Sequence, residues 1–91
     1  MGLRNTLRVL MRRLFPPMFT VRIEGGGTRA VQGTVTSAFL EDCQDIVRRR
    51  GIESGWIWGH RMERGVRLEF SSDIAPGDRQ RFRNTAGVHR L

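Results

Sequence analysis

The side chains in this sequence that could do chemistry are mostly guanidinium donors and aromatic rings, with few nucleophiles or metal ligands. The densest group is Arg79-Gln80-Arg81-Phe82-Arg83-Asn84, followed by His89-Arg90. Forked N–H donors of this kind grip phosphate or carboxylate. On a helix, Arg79 and Arg83 lie one turn apart, while Arg81 projects elsewhere. Phe82 is the only large apolar residue of the stretch and has to face the core. The spacing therefore predicts Arg79 and Arg83 as an anion clamp, with Asn84 and Arg81 further round and Arg90, beyond the helix, as a further candidate. Arg81 becomes an intramolecular partner for a sheet carboxylate such as Glu69. A solvated basic face is the plain alternative.

A second group is Trp56, Trp58 and His60, which alternate with Ile57. If Ile57 faces the core, the two indoles and the imidazole share the opposite side, joined by Arg22, Arg67 and Gln32. Aromatic rings interleaved with arginines form the stacking platform that single-strand binders use. The competing reading is cover: two Trp are costly to leave wet, so an N-terminal arm or a second subunit would shield them.

Catalysis finds little support. The chain has two histidines on different elements and one cysteine, Cys43, on the apolar face of a predicted helix. No serine occupies a nucleophile elbow, and two histidines alone do not make a metal site. The reading is non-enzymatic, with no cofactor and no metal. Gly25-Gly26-Gly27 is not followed by a helix, so it reads as a hairpin turn and not as a phosphate cradle.

These groups must be positioned by a chain of 91 residues, enough for one domain with a modest core. Sixteen basic residues, all arginine, oppose nine acidic ones, for a net charge of +7. GC-rich coding alone produces such an arginine bias, but the charge still favours anionic partners. Nucleic acid leads; an acidic protein or acidic lipid follows. A lone cysteine fits a reducing compartment, and the expected location is cytoplasmic, with a peripheral place at the inner membrane as the alternative.

Residues 1–17 read as a basic amphipathic helical arm, with Leu3, Leu7, Leu10 and Leu14 on one side and Pro16-Pro17 as its stop. The arm is too short and too charged to span a bilayer. It would dock on its own sheet, meet a partner, or lie on a membrane surface through residues 1–15. Deleting it should then alter the environment of Trp56 or Trp58.

Residues 18–91 read as one ββαββα domain. Phe19, Val21 and Ile23 alternate with polar residues, a half-buried strand over 18–24. A second strand runs over 28–35, with Val31, Gly33 and Val35 on one face. Phe39, Leu40, Cys43, Ile46 and Val47 form a helical stripe over 37–50. Thr36 or Ser37 caps that helix, Glu41 and Asp42 lie in its first turn, Arg48-Arg49-Arg50 in its last, and Gly51 ends it. Strands over 55–61 and 66–70 flank a turn at Glu63-Arg64-Gly65. Pro76 opens a second helix that runs to about Ala86 and ends at Gly87. The expected fold is α+β: a four-stranded antiparallel sheet with two helices on one face, plus the arm.

Val66-Arg67-Leu68-Glu69-Phe70-Ser71-Ser72-Asp73-Ile74, followed by Arg79-Gln80-Arg81-Phe82-Arg83-Asn84, resembles the C-terminal signature of a family of short bacterial proteins of unknown function. Gly33-Thr34-Val35, Phe39 and Asp45-Ile46 match its first half. The resemblance covers residues 18–90 and implies a bacterial origin but no activity. Members often begin with a hydrophobic membrane segment, from which this arginine-bearing arm departs. Ala75 ahead of Pro76 departs from the family's turn as well.

The favoured function is a small binding or adaptor domain whose anionic partner contacts the second helix and the Trp face. The alternative is a protein-interaction or self-association module at the inner membrane surface, as a homo-oligomer or with a partner.

Overall fold

The computed structural model describes residues 16–91. The amphipathic helix expected over 3–14 and its leucine stripe lie outside the described residues. The alternation of Phe19, Val21 and Ile23 produces strand β1, Phe19–Glu24, whose three apolar side chains are fully buried. A two-residue turn in which Gly25 and Gly26 both have positive φ leads into β2, Gly27–Gly33. Helix α1, Ser37–Arg50, follows, then β3, Ser54–Arg61, β4, Val66–Phe70, and helix α2, Pro76–Val88. The strands form one antiparallel sheet in the order β2-β1-β3-β4.

Strand period and helix period bury complementary stripes. Phe19, Val21, Ile23, Ile57, Leu68 and Phe70 on the sheet join Phe39, Cys43, Ile46, Val47, Phe82 and Ala86 from the two helices in one core. Phe19 meets Phe39 edge-on, with ring centroids 6.0 Å apart. Phe70 meets Phe82 at the same 6.0 Å separation. Burial pushes the Cys43 thiol up to about 12, with the Asp42 carboxylate adding to the effect. Cys43 is thus a packed apolar group.

Helix α1 follows its sequence signals closely. Thr36 Oγ1 accepts from the N–H of Phe39, and Gly51 closes the helix in the left-handed region at φ 65°. Arg48, Arg49 and Arg50 occupy the last turn, where cations oppose the helix dipole. Glu41 and Asp42 differ from expectation: the helix begins at Ser37, so they open its second turn and leave the first without an acid.

Two boundaries also differ. The β1–β2 register jumps between Thr20 and Val21, so Gln32 and Ala30 are paired and Val31 is not. Val31 is the extra residue of a bulge. It lies 41% exposed and does not share a buried face with Gly33 and Val35. The second helix continues through Gly87 to Val88. It is closed beyond His89 by Arg90, in the left-handed region at φ 55°, which folds the N–H of Leu91 back onto the carbonyl of Ala86 at 3.1 Å.

The two helices are joined by charge. Asp78, in the first turn of α2 and 9% exposed, accepts from Arg50 Nε at 2.9 Å, with Arg81 Nε at 3.7 Å. An acid at the positive end of one helix thus holds a base at the negative end of the other.

Phe19 is paired across the strands with Gly59. A Cβ at Gly59 would overlap the Phe19 ring. Gly59→Ala should therefore destabilise the domain by about 1–3 kcal/mol, the usual penalty for overfilling a packed site. A lower urea midpoint with an unchanged m-value would be the signature.

Candidate functional site

The core packing leaves a second sheet face. Arg22, Trp56, Trp58 and His60 all lie on it, as the alternation predicts, because Ile57 is fully buried on the other side. Trp56 and Trp58 stand parallel within 4°, centroids 6.2 Å apart, and the Arg22 guanidinium lies 5.0 Å above Trp56. An indole face covered from within the chain accepts a base only by displacing its cover. His60 Nε2 faces Glu69 Oε1 at 3.3 Å, both side chains half-buried. Gln32 accepts from Thr20 and donates to the carbonyl of Pro17.

The arginines of α2 separate into three environments. Arg79 is structural: its Nε donates to the carbonyl of Ile74 at 2.7 Å and its terminal nitrogen to that of Ser71 at 3.3 Å. The clamp of Arg79 with Arg83 is therefore not assembled. Arg83 lies over the Phe70 ring at 5.2 Å. Arg81 pairs with Asp78 in its own helix and not with Glu69, because the i, i+3 partner is nearer than any sheet strand. Arg81 and Asn84 instead line an interhelical groove with Arg49 and Arg50. Those arginines are matched by carboxylates: Asp45 accepts from Arg48 and Arg49, and Asp78 from Arg50. Asn84 itself accepts from Gln80.

Arg83 borders a different groove, of about 590 Å³, where the β3–β4 hairpin meets the C-terminal half of α2. Arg64 and Arg67 line it as well, with Met62, Val66, Leu68, Ala86 and Leu91 as its apolar part. Gly65 makes the approach possible. It has φ 82°, and a Cβ there would stand 2.7 Å from the Leu91 carbonyl oxygen. Among the described residues, no carboxylate forms an ion pair with Arg64, Arg67 or Arg83. Arg61 and Arg90 belong to the same end of the molecule, beside Val66 and Leu91 respectively.

This end holds five arginines and one acid, Glu63, a balance of +4. The other seven arginines and eight carboxylates of residues 16–91 come to −1. The positive excess of these residues is therefore local. Sequence reading finds Arg83 and Arg90 and places Arg67 on the Trp face, where the register sets it opposite His60, but it misses Arg64. The available signal is Arg61, Arg64 and Arg67 at regular intervals across one hairpin. Arg90 carries a second signal in the structure. A left-handed conformation costs an L-residue about 1 kcal/mol relative to glycine, and the chain carries arginine there.

Among the described residues, no group of three or more His, Cys, Asp or Glu is placed to hold a metal ion. Each histidine is engaged by a carboxylate: His60 by Glu69, and His89 by Asp42 at 2.6 Å. No described helix is long and apolar enough to cross a membrane.

The turn that sets β4 against α2 is a polar knot. Ser71 donates to Asp73 Oδ1 at 2.5 Å, Ser54 donates to Oδ2 at 3.1 Å, and the Trp56 N–H donates to Ser71 Oγ at 2.8 Å. The Ser71 hydroxyl, foremost, holds the Asp73 carboxyl below its ordinary range. A depressed acid adds stability above the unfolded pKa and loses it as pH falls through the folded one. Ser71→Ala should raise the Asp73 titration toward the ordinary carboxylate range, read by side-chain NMR, with the Ser54 hydrogen bond still holding it down in part. Arg79→Ala should cost about 1–3 kcal/mol, because two carbonyls lose their donor. Arg83→Ala should cost no more than about 1 kcal/mol, the scale of an exposed cation–π contact. Thermal melts of the two variants would order them.

The family model described as "Protein of unknown function (DUF3634)" matches residues 6–90. No curated protein and no solved structure gives a match.

Proposed function

The chain belongs to the DUF3634 family, proteins of unknown function, and on that premise we propose that it is a non-enzymatic anion-binding module with nucleic acid as its partner. The observation that carries this reading is the charge distribution. The described residues have +3 in total, and one end alone has +4. Phosphate backbones are drawn to such a patch, and forked guanidinium donors match their oxygens. The interhelical arginines, matched by Asp45 and Asp78, are weaker candidates for the same role. The left-handed Arg90 adds support, since a glycine there would be easier for the backbone. A cytoplasmic setting agrees with a nucleic-acid partner and with a lone, buried thiol.

The test is binding of fluorescent RNA and DNA oligonucleotides to the full chain across a salt series. Affinity should fall log-linearly with salt. Replacing Arg64, Arg67 and Arg83 together by Ala should reduce that slope by roughly one for each phosphate the variant no longer touches, and weaken binding of all sequences alike. Arg48→Ala with Arg49→Ala should reduce the slope less than the triple variant does, because Asp45 already matches both arginines. Unaltered affinity in the triple variant would reject the site. Arg90→Gly should separate stability from binding, raising the melting temperature through a gain of up to about 1 kcal/mol while weakening the oligonucleotide complex.

A further inference from the structure

We propose that the groove between the β3–β4 hairpin and α2 takes a single unstacked base, making the ligand single-stranded rather than duplex nucleic acid. This rests on the nucleic-acid reading above and deepens it. Arginines alone would suit any polyanion, but this groove is not only basic. Its deepest side chains, Leu68 and Ala86, are core residues, each 6% exposed. Val66 and Leu91, both half-buried, pack against the same core, and Met62 is 47% exposed at the lip.

Apolar exposure concentrates here as the charge does. Among the described residues, three large hydrophobic side chains are exposed: Val31, Met62 and Val88. Val31 is the bulge residue at the far edge of the sheet. Met62 lines the groove, and Val88 is the last residue of the helix that borders it.

The ligand must therefore present an apolar face and anionic groups close together. A duplex keeps its base faces stacked inside and offers phosphates outside, so it satisfies the arginines and leaves the apolar floor wet. A single strand offers both, because an unstacked base has a free π face with a phosphate on either side. The volume lies in the range of small-ligand sites, enough for a base with its sugar. The Trp face fits less well, since Arg22 already covers Trp56. In this arrangement the base enters between Met62 and Leu91, and Arg64 and Arg83 hold the flanking phosphates.

The experiment compares three probes on the full chain: a poly-uridine oligonucleotide, an abasic oligomer of equal length and charge, and a duplex of equal phosphate number. The uridine oligomer is expected to bind about tenfold or more tighter than the abasic one. Met62→Ser, at an exposed position and checked by its melt, should bring uridine binding down towards the abasic level without changing abasic binding. A 4-thiouridine probe should crosslink on the hairpin or on residues 86–91. Equal binding of the uridine and abasic oligomers, or tighter binding of the duplex, would overturn the base pocket while leaving phosphate binding intact. Failure of all three probes to bind would remove the nucleic-acid reading, and this inference with it.

Discussion

The contact on which the rest of the structure depends is a phenylalanine ring laid over a glycine. Phe19 and Gly59 face each other across the two central strands, and the ring occupies the space a side chain at Gly59 would need. A register slip of one residue would turn every apolar side chain of β1 to the wrong face. It would also drive a tryptophan or a histidine against the ring. The same ring meets Phe39 edge-on, so the contact that fixes the strand pairing also seats α1 on the sheet. Gln44 adds a second tie from that helix, accepting from Thr28 and donating to the carbonyl of Gly26 in the hairpin turn.

From this centre the charges sort themselves by what packs near them. Carboxylates cluster where helix ends and tight turns need them: Asp78 between the helices, Asp45 under the arginine run, Asp73 in the 71–74 turn. Each neutralises or orders a nearby cation or hydroxyl. The β3–β4 hairpin and the closing turn of α2 carry five of the arginines and only Glu63 against them. The positive field is what the folding contacts leave over.

Most of the fold is legible in the sequence because it is governed by local rules. Thr36 and Gly51 bracket α1 by capping chemistry, and Val66, Leu68 and Phe70 declare a strand by period alone. The limits of β4 and the phase of Trp56, Ile57 and Trp58 are readable for that reason. Several misreadings come from contacts that no local pattern announces. The bulge at Val31 is decided by the partner strand, and nothing in residues 28–35 announces it. Gly87 reads as the end of α2, but a helix tolerates a glycine, and the actual closure needs Leu91 to fold back. Arg79 looks like a ligand donor because its partners are carbonyls of a turn, and carbonyls have no sequence signature. Arg64 passes for turn filler, since only the fold brings the hairpin tip beside the end of α2.

The bulge in β2 has a consequence for how the molecule meets copies of itself. β2 is an outer strand of the sheet, and an outer strand with a regular ladder invites a neighbouring chain to extend the sheet without limit. Here the unpaired Val31 breaks the spacing of donors and acceptors, and Gly33, held at φ 75°, turns the strand away at its end. An incoming strand could match the residues before the break or those after it, never both. The regular ladder that an added strand would need is thus interrupted by one extra residue.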